Sequence, residues 1–125
     1  MVKRLKNLYW FEEYIMKVVI NRCHGGFGLS HEAIMRYAEL KGFENFRVEE
    51  YGSFSNCYFI GEEGLYISDI ERTDTILIQV VEELGNNANG KYSDLHIVEI
   101  PDDISWEISD YEGMEKIHEK HRSWS

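Results

Sequence analysis

The sequence has little proline, little cysteine and no long apolar run, and each shortage excludes a class of protein. Pro101 is the only proline in 125 residues, so the chain contains no proline-rich linker. The two cysteines are too few for a disulfide framework and are typical of a reducing cytoplasm. No apolar run approaches the roughly 20 residues of a membrane span. We therefore expect a single cytoplasmic domain that does not cross a membrane.

Positive charge is also scarce in this chain. Lysine and arginine contribute 13 residues against 23 aspartates and glutamates, which gives a net charge of −10. A protein that binds DNA or RNA polymers relies on basic side chains to displace counterions, so this balance argues against a polynucleotide partner. It does not exclude a small anionic ligand, because two or three arginines can make one pocket locally positive.

Apolar residues make up 43% of the chain, which is enough to form a core. Their spacing predicts strands at 16–21, 45–51, 56–60, 64–69, 94–100, 105–110 and 114–121, and helices at 30–41 and 74–88. We predict an α+β fold with a mixed β-sheet, two main helices and a C-terminal β-hairpin. Because Met16 begins a buried strand, residues 16–125 are predicted to form the domain. Residues 1–15 are predicted to form an N-terminal extension, which could be helical.

A glycine-rich loop joins the first of these strands to the first helix. Its glycines surround one phenylalanine, at Gly25, Gly26, Phe27 and Gly28, and Ser30 is the predicted helix cap. The loop lacks the pattern of a nucleotide-triphosphatase P-loop, and the third glycine of a dinucleotide fingerprint would fall at His31. Backbone N–H groups at a helix start can still bind an anion. In the alternative interpretation, the glycines let the turn approach the sheet while Phe27 fills the core.

Arg72 and Thr73 come directly before the second predicted helix. A guanidinium at this position could pair with a phosphate beside the helix end. Alternatively, Arg72 lies on the surface in an acidic cluster formed by Asp69, Glu71 and Asp74. The sequence leaves both alternatives open. In either case we expect the loss of Arg72 to change the stability of the free protein very little.

No constellation of residues indicates catalysis or metal binding. Cys23 and His24 are neighbours, but adjacent strand side chains diverge. His118 and His121 have no third ligand at a suitable spacing. We therefore expect a protein that is not an enzyme, with no catalytic residues, no metal ion and no cofactor.

Three long segments resemble a family of small bacteriophage and prophage proteins. They are MKVVINRCHGGFGLSHEAIMRYAELKG at 16–42, DIERTDTILIQVVEELGNNANG at 69–90 and LHIVEIPDDISWEISDYEGMEKIHEKHRSWS at 95–125. The chain is similar to the phage anti-Thoeris family, which captures the cyclic ADP-ribose immune signal of the host without degrading it. Residues 1–15 are additional to the family pattern, and residues 43–68 match little of it.

The resemblance implies a phage-encoded protein that sequesters a small anionic nucleotide in the cytoplasm of an infected bacterial cell. It also implies a homodimer or a higher assembly of dimers, with the pocket at or near a subunit interface. Because the glycine loop and the Arg72 turn fall in matching segments, the candidate ligand-binding residues are Arg22, Gly25, Gly26, Phe27, Gly28, Ser30, Arg72 and Thr73. Two alternatives stay open: an interaction protein that binds a host protein, and a small nucleotide-processing enzyme that uses His24 or His31.

Overall fold

In a computed structural model, residues 15–52 and 55–120 are described in full, and residues 4–6 and 9–11 are described by their backbone. These described residues form two α-helices and several small antiparallel sheets, which confirms the predicted α+β class. No helix within these ranges is long and apolar enough to cross a membrane.

The elements follow one another as β1 (Arg4–Lys6), β2 (Tyr9–Phe11), β3 (Ile15–Asn21), α1 (His31–Lys41), β4 (Phe46–Tyr51), β5 (Ser55–Ile60), β6 (Glu63–Leu65), α2 (Thr75–Leu84), β7 (Leu95–Pro101), β8 (Trp106–Tyr111) and β9 (Met114–Glu119). The predicted C-terminal hairpin is present as β8 and β9. The pairs are β1 with β2, β3 with β7, β4 with β5 with β6, and β8 with β9. All of these pairs are antiparallel, so small antiparallel sheets are found where one mixed sheet was expected. Most of the paired strands follow one another in the chain with only a few residues between them, which is too short for a parallel crossover.

Some element boundaries differ from the predicted ones. The helical alternative for residues 1–15 is wrong, because β1 and β2 within that segment pair as antiparallel strands. The second helix ends at Leu84 and not at residue 88, because Gly85 has a positive φ of 56° and a short 3-10 turn follows it. The fourth predicted strand, at 64–69, ends at Leu65, and a 3-10 turn follows at Ile67–Asp69. Residue 121 of the last predicted strand lies outside the described residues, and the boundary at Met16 stays a prediction.

The two-stranded sheet of β3 and β7 separates two hydrophobic cores. Successive side chains of β3 point to opposite faces, so Val19 belongs to one core while Val18 and Ile20 belong to the other. The helices cover the first face, with Ala33, Ile34, Leu77 and Val80 among the buried residues. The hairpin β8–β9 covers the second face with Trp106, Ile108 and Ile117. The helices and the hairpin β8–β9 therefore pack on opposite faces of this sheet, and the candidate site is built around it.

The two helices are joined through Asp74, which caps the start of α2. Its carboxylate accepts hydrogen bonds from the backbone N–H groups of Ile76 and Leu77, at 2.8 and 3.2 Å. It also accepts one from the hydroxyl of Tyr37 on α1, at 2.7 Å, and lies 3.0 Å from Nζ of Lys41. Burial alone would raise the pKa of Asp74, but these partners outweigh burial and hold that pKa below its ordinary value. Burial and the bond to Asp74 raise the pKa of Tyr37.

Candidate ligand site

Asn21, the last residue of β3, is fully buried and connects three segments of the chain. Its side-chain amide donates to the carbonyl oxygens of Cys23, at 2.6 Å, and Gly113, at 2.7 Å. Its side-chain oxygen accepts from the backbone N–H of Asp94, at 2.8 Å. Asparagine suits this position because one side chain supplies both donors and an acceptor. The glycine loop, the turn before β9 and the start of β7 are thereby fixed to one point.

Arg72 forms a bidentate ion pair with Glu115 of β9. Nη1 and Nη2 of the guanidinium lie 2.6 and 2.9 Å from the two carboxylate oxygens. The carboxylate also accepts a bond from the backbone N–H of Asn21 at 2.8 Å, and Nη1 donates to the carbonyl oxygen of Val19 at 3.3 Å. The Glu115 side chain is only 6% exposed and that of Arg72 only 22%. The alternative that placed Arg72 in a surface cluster with Asp69, Glu71 and Asp74 is therefore wrong, because the guanidinium turns inward and pairs with Glu115.

Phe27 packs against the other side of this ion pair. Its ring centroid lies 3.6 Å from the central carbon of the Arg72 guanidinium, a cation–π contact. The same ring packs against the core beneath the helices. The structure thus brings together two of the predicted ligand-binding residues, Phe27 and Arg72. Both side chains make contacts within the protein, and the half-buried phenylalanine packs against the core, close to the alternative interpretation.

The glycines of the loop allow two other turns to approach closely. A Cβ atom at Gly25 would overlap the backbone carbonyl of Tyr92. A Cβ atom at Gly113 would lie 2.5 Å from the backbone nitrogen of Gly26. On the far side of the loop, the carbonyl oxygen of Gly28 accepts bonds from the loop that precedes β7. Close packing therefore accounts for the glycine at position 25, and a positive φ of 96° accounts for Gly26.

Ser30 and Thr73 do not join Arg72 and Phe27. The hydroxyl of Ser30 caps α1 by accepting from the backbone N–H of Ala33 at 3.0 Å, and it donates to the carbonyl oxygen of Asn87 at 2.7 Å. Thr73 lines a separate cavity of about 330 Å³ beside Lys17. Ser30 and Thr73 therefore do not share one surface with Phe27 and the Arg72 guanidinium.

Arg22, another of the predicted ligand-binding residues, lies at a different place, in a cleft of about 480 Å³ between β3, β7 and β9. The apolar part of the cleft is formed by Ile20, Val98, Met114 and Ile117. Arg22 and Lys116 line it as well, and both are exposed. Glu115 is the remaining charged residue of the lining, and its carboxylate is paired with Arg72. The solvent-facing charges of the cleft are therefore positive, on a chain whose net charge is −10.

A pair of aromatic rings stands near one end of this cleft. Tyr111, at the end of β8, is 72% exposed and lies opposite Met114 in the hairpin register. Its ring meets the imidazole of His24 edge-on, with centroids 6.4 Å apart and planes inclined at 74°. Exposed aromatic faces can stack on a flat heteroaromatic ring such as a nucleobase. The cleft and this ring pair together offer apolar, cationic and aromatic surface to one small molecule.

His31, the other histidine of the enzyme alternative, lies at the start of α1 against β5. Its Nδ1 is 2.7 Å from the hydroxyl of Tyr58, whose pKa is raised by burial. Within the described ranges, no three histidine, cysteine, aspartate or glutamate side chains are close enough to hold a metal ion.

Three residues of this region escaped sequence analysis: Asn21, Glu115 and Lys116. Glu115 shares a strand face with Ile117, and an acid at an inward-facing strand position requires a cationic partner. Asn21 similarly ends a run of buried apolar residues, where a polar side chain needs hydrogen-bond partners. Both signals were present in the sequence. Lys116 carried no such signal, because an exposed lysine on a strand is ordinary.

No family model matches the chain, and neither the curated proteins nor the solved structures include a significant match to it. The resemblance to the anti-Thoeris family therefore stays a prediction.

Proposed function

We propose that this protein binds a small anionic nucleotide of the cyclic ADP-ribose type in the cleft between β3, β7 and β9. It holds the ligand without changing it chemically. As a phage-encoded inhibitor, it would lower the concentration of a bacterial immune signal in the infected cell. The resemblance of three segments to the anti-Thoeris family supports the identity of the ligand and the dimeric state. The charge and the apolar lining of the cleft support a small anionic ligand that also carries apolar surface.

The observation that carries the proposal is the charge of the cleft. Arg22 and Lys116 are its exposed charged residues, while the charge of Glu115 is offset by Arg72. On a chain with a net charge of −10, two cations that form no ion pair with the described residues, beside an apolar surface, favour an anion that also carries apolar area. The volume of about 480 Å³ falls within the range of roughly 300–1,000 Å³ that is usual for small-molecule sites.

Each part of such a ligand has a partner of matching chemistry in or beside the cleft. A pyrophosphate would pair with Arg22 and Lys116 through charge-assisted hydrogen bonds. The sugar edges would rest on the apolar part of the cleft. An adenine ring would stack near Tyr111 and His24. A sequestering protein needs no nucleophile or general base, so these contacts suffice for the proposed activity.

Isothermal titration calorimetry with cyclic ADP-ribose, ADP-ribose and ADP tests the proposal. We expect micromolar or tighter binding of the cyclic nucleotide, equivalent to at least about 8 kcal/mol. Arg22→Ala and Lys116→Ala should each weaken binding by about tenfold, since each removes a charge-assisted contact. Arg47→Ala, which removes an exposed cation on β4 outside the cleft, serves as the matched control and should bind normally.

Mass spectrometry of the ligand after heat denaturation of the complex distinguishes the alternatives. Recovery of intact nucleotide agrees with sequestration. A chemically altered nucleotide would favour the nucleotide-processing enzyme. No measurable affinity for any of the three nucleotides would favour a protein that binds a host protein instead.

A further inference from the structure

Two hydrogen bonds attach β9 and the turn before it to β3, and both end at Asn21. The carbonyl oxygen of Gly113, one residue before β9, accepts from the side-chain amide of Asn21 at 2.7 Å. Two residues further on, the carboxylate of Glu115 accepts from the backbone N–H of Asn21 at 2.8 Å. Within the described part of the chain β3 pairs with β7 and β9 pairs with β8, so no backbone ladder joins β3 to β9. The attachment at Glu115 is therefore made by a side chain and not by the backbone of a neighbouring strand.

The length of the Glu115 side chain limits how closely β9 approaches β3. Paired strands lie about 4.8 Å apart. A glutamate side chain followed by a hydrogen bond of 2.8 Å spans a wider gap than this. The cleft of about 480 Å³ lies between these strands and β7, and Glu115 is one of its lining residues. The bond between Glu115 and Asn21 therefore sets one dimension of the cleft.

The neighbours of Glu115 hold its carboxylate in place. Nη1 and Nη2 of Arg72 lie 2.6 and 2.9 Å from the two carboxylate oxygens, and Nη1 also donates to the carbonyl oxygen of Val19 at 3.3 Å. The Phe27 ring covers the guanidinium, with its centroid 3.6 Å from the central carbon. Because a buried carboxylate that loses its cation is strongly disfavoured, the Glu115 side chain is held in this one arrangement.

The two exposed cations of the cleft come directly after the two ends of this bond. Arg22 follows Asn21 in the chain, and Lys116 follows Glu115. The backbone N–H of Arg22 also donates to the carbonyl oxygen of Asp94 at 2.8 Å. The backbones that carry the two cations therefore belong to separate strands at a fixed spacing. Such an arrangement favours a ligand with two linked anionic groups, because each group can pair with a cation of its own without moving the strands.

We propose that Glu115 is a positioning residue of the cleft. Its side chain, fixed by Arg72, keeps β9 away from β3 and holds Arg22 and Lys116 at the spacing of two linked phosphates. It acts through these two cations and not on the ligand, because its carboxylate is 6% exposed and both oxygens already accept hydrogen bonds. This role rests on the proposed function, since it concerns the same cleft. Inorganic pyrophosphate nevertheless tests it without any nucleotide.

Isothermal titration calorimetry of the full chain compares pyrophosphate, orthophosphate and citrate at constant ionic strength. Orthophosphate is the single anionic group, and citrate is a multivalent anion with a different spacing of its charges. We expect pyrophosphate to bind about tenfold more tightly than either, since it gains one charge-assisted contact of the correct geometry. Equal affinities for pyrophosphate and citrate, or no binding of pyrophosphate, would overturn the proposal.

Glu115→Asp tests the length of the side chain, because it keeps the charge and removes one carbon–carbon bond, about 1.5 Å. The preference for pyrophosphate over orthophosphate should fall to about threefold or less, since a site loses selectivity when its groups move by this much. Glu107→Asp makes the same change at an exposed position of the hairpin and should keep the full preference. Circular dichroism confirms that each variant is folded under the titration conditions. A folded Glu115→Asp protein with an unchanged preference would contradict the positioning role.

Two further measurements keep the test decisive. If Glu115→Asp does not fold, Arg72→Lys replaces it, because a lysine cannot hold both carboxylate oxygens and the preference should again fall to about threefold; an unchanged preference there would overturn the proposal. In the wild type the Asn21 amide should exchange slowly with solvent, and fast exchange would show that the bond to Glu115 is absent. A preference for pyrophosphate without affinity for cyclic ADP-ribose would refute the proposed function alone. Binding of cyclic ADP-ribose without that preference would refute the positioning role alone.

Discussion

Replacing Arg72 by alanine should destabilise the free protein by about 3–5 kcal/mol, because it leaves the Glu115 carboxylate buried without its cation. That carboxylate is 6% exposed and accepts bonds from Nη1 and Nη2 of Arg72 and from the backbone N–H of Asn21. After the substitution, only the bond from Asn21 is left. A loss of this size is a large fraction of the roughly 5–15 kcal/mol that stabilises a typical domain. The expectation from sequence was a nearly unchanged stability.

Urea unfolding followed by tryptophan fluorescence measures this loss, with Trp106 in the affected hairpin as a natural probe. Arg36→Ala is the matched control, since Arg36 forms a bidentate pair with Glu83 on the surface. Its unfolding midpoint should scarcely change, because exposed ion pairs contribute little. Arg72→Lys keeps the charge but loses the two-pronged geometry, so it should recover only part of the stability.

A double-mutant cycle with Glu115→Ala isolates the pair itself. The coupling energy between the two positions should be at least about 1.5 kcal/mol, the lower range for a hydrogen-bonded charged pair. A loss below about 1 kcal/mol in Arg72→Ala, or a coupling energy below about 0.5 kcal/mol, would contradict the structural account of this pair.

Further outcomes are expected at other positions. Gly25→Ala should lower the free energy of unfolding by at least about 1 kcal/mol, because its methyl group would overlap Tyr92, while Gly28→Ala, with open space around it, should stay within about 0.5 kcal/mol of the wild type in the same urea assay. Asp74→Ala should cost about 1–2 kcal/mol at neutral pH through the lost helix cap. Because the folded pKa of Asp74 is lowered, its stabilisation is complete above the ordinary pKa of 3.8 and is lost as the pH falls through the folded value, so the difference from wild type should shrink in acid. A chain that begins at Met16 should still unfold cooperatively in a thermal melt followed by circular dichroism; loss of the transition would place residues 1–15 in the core.

Sequence patterns predicted the elements whose signals are local. The apolar spacing predicted both helices to within a few residues at their starts, and Ser30 was predicted as the cap of the first, because a cap and an amphipathic stripe are encoded by near neighbours. Residues 1–15 were harder, since a short aromatic segment fits a helix or a hairpin equally well until its pairing is known. Glycine also ended α2 earlier than the apolar stripe suggested, because Gly85 adopts a positive φ.

The candidate site depends on contacts that no local pattern encodes. Arg72 and Glu115 are 43 positions apart, and their meeting is decided by the packing of β9 beside β3. The many nearby acids made a surface pairing of Arg72 the simpler prediction. Arg22 was named as a ligand residue for its place beside the glycine loop, yet it lies in a cleft completed by β7 and β9. Sequence thus supplied several of the residues, while the fold decided which of them share a surface.

Because β3 lies between two cores, its length is more tightly constrained than the identity of its apolar residues. Val18 and Val19 belong to cores on opposite sides of a layer formed by β3 and β7, so if the first half of β3 keeps its place, removing one residue between Val19 and Asn21 would move the residues after it to the opposite face. The same deletion would turn Asn21 away from the three segments that it connects. Apolar substitutions along β3 should therefore be tolerated far better than any insertion or deletion. The exposed turn at Asp102 and Asp103, between β7 and β8, is where changes of chain length should be absorbed.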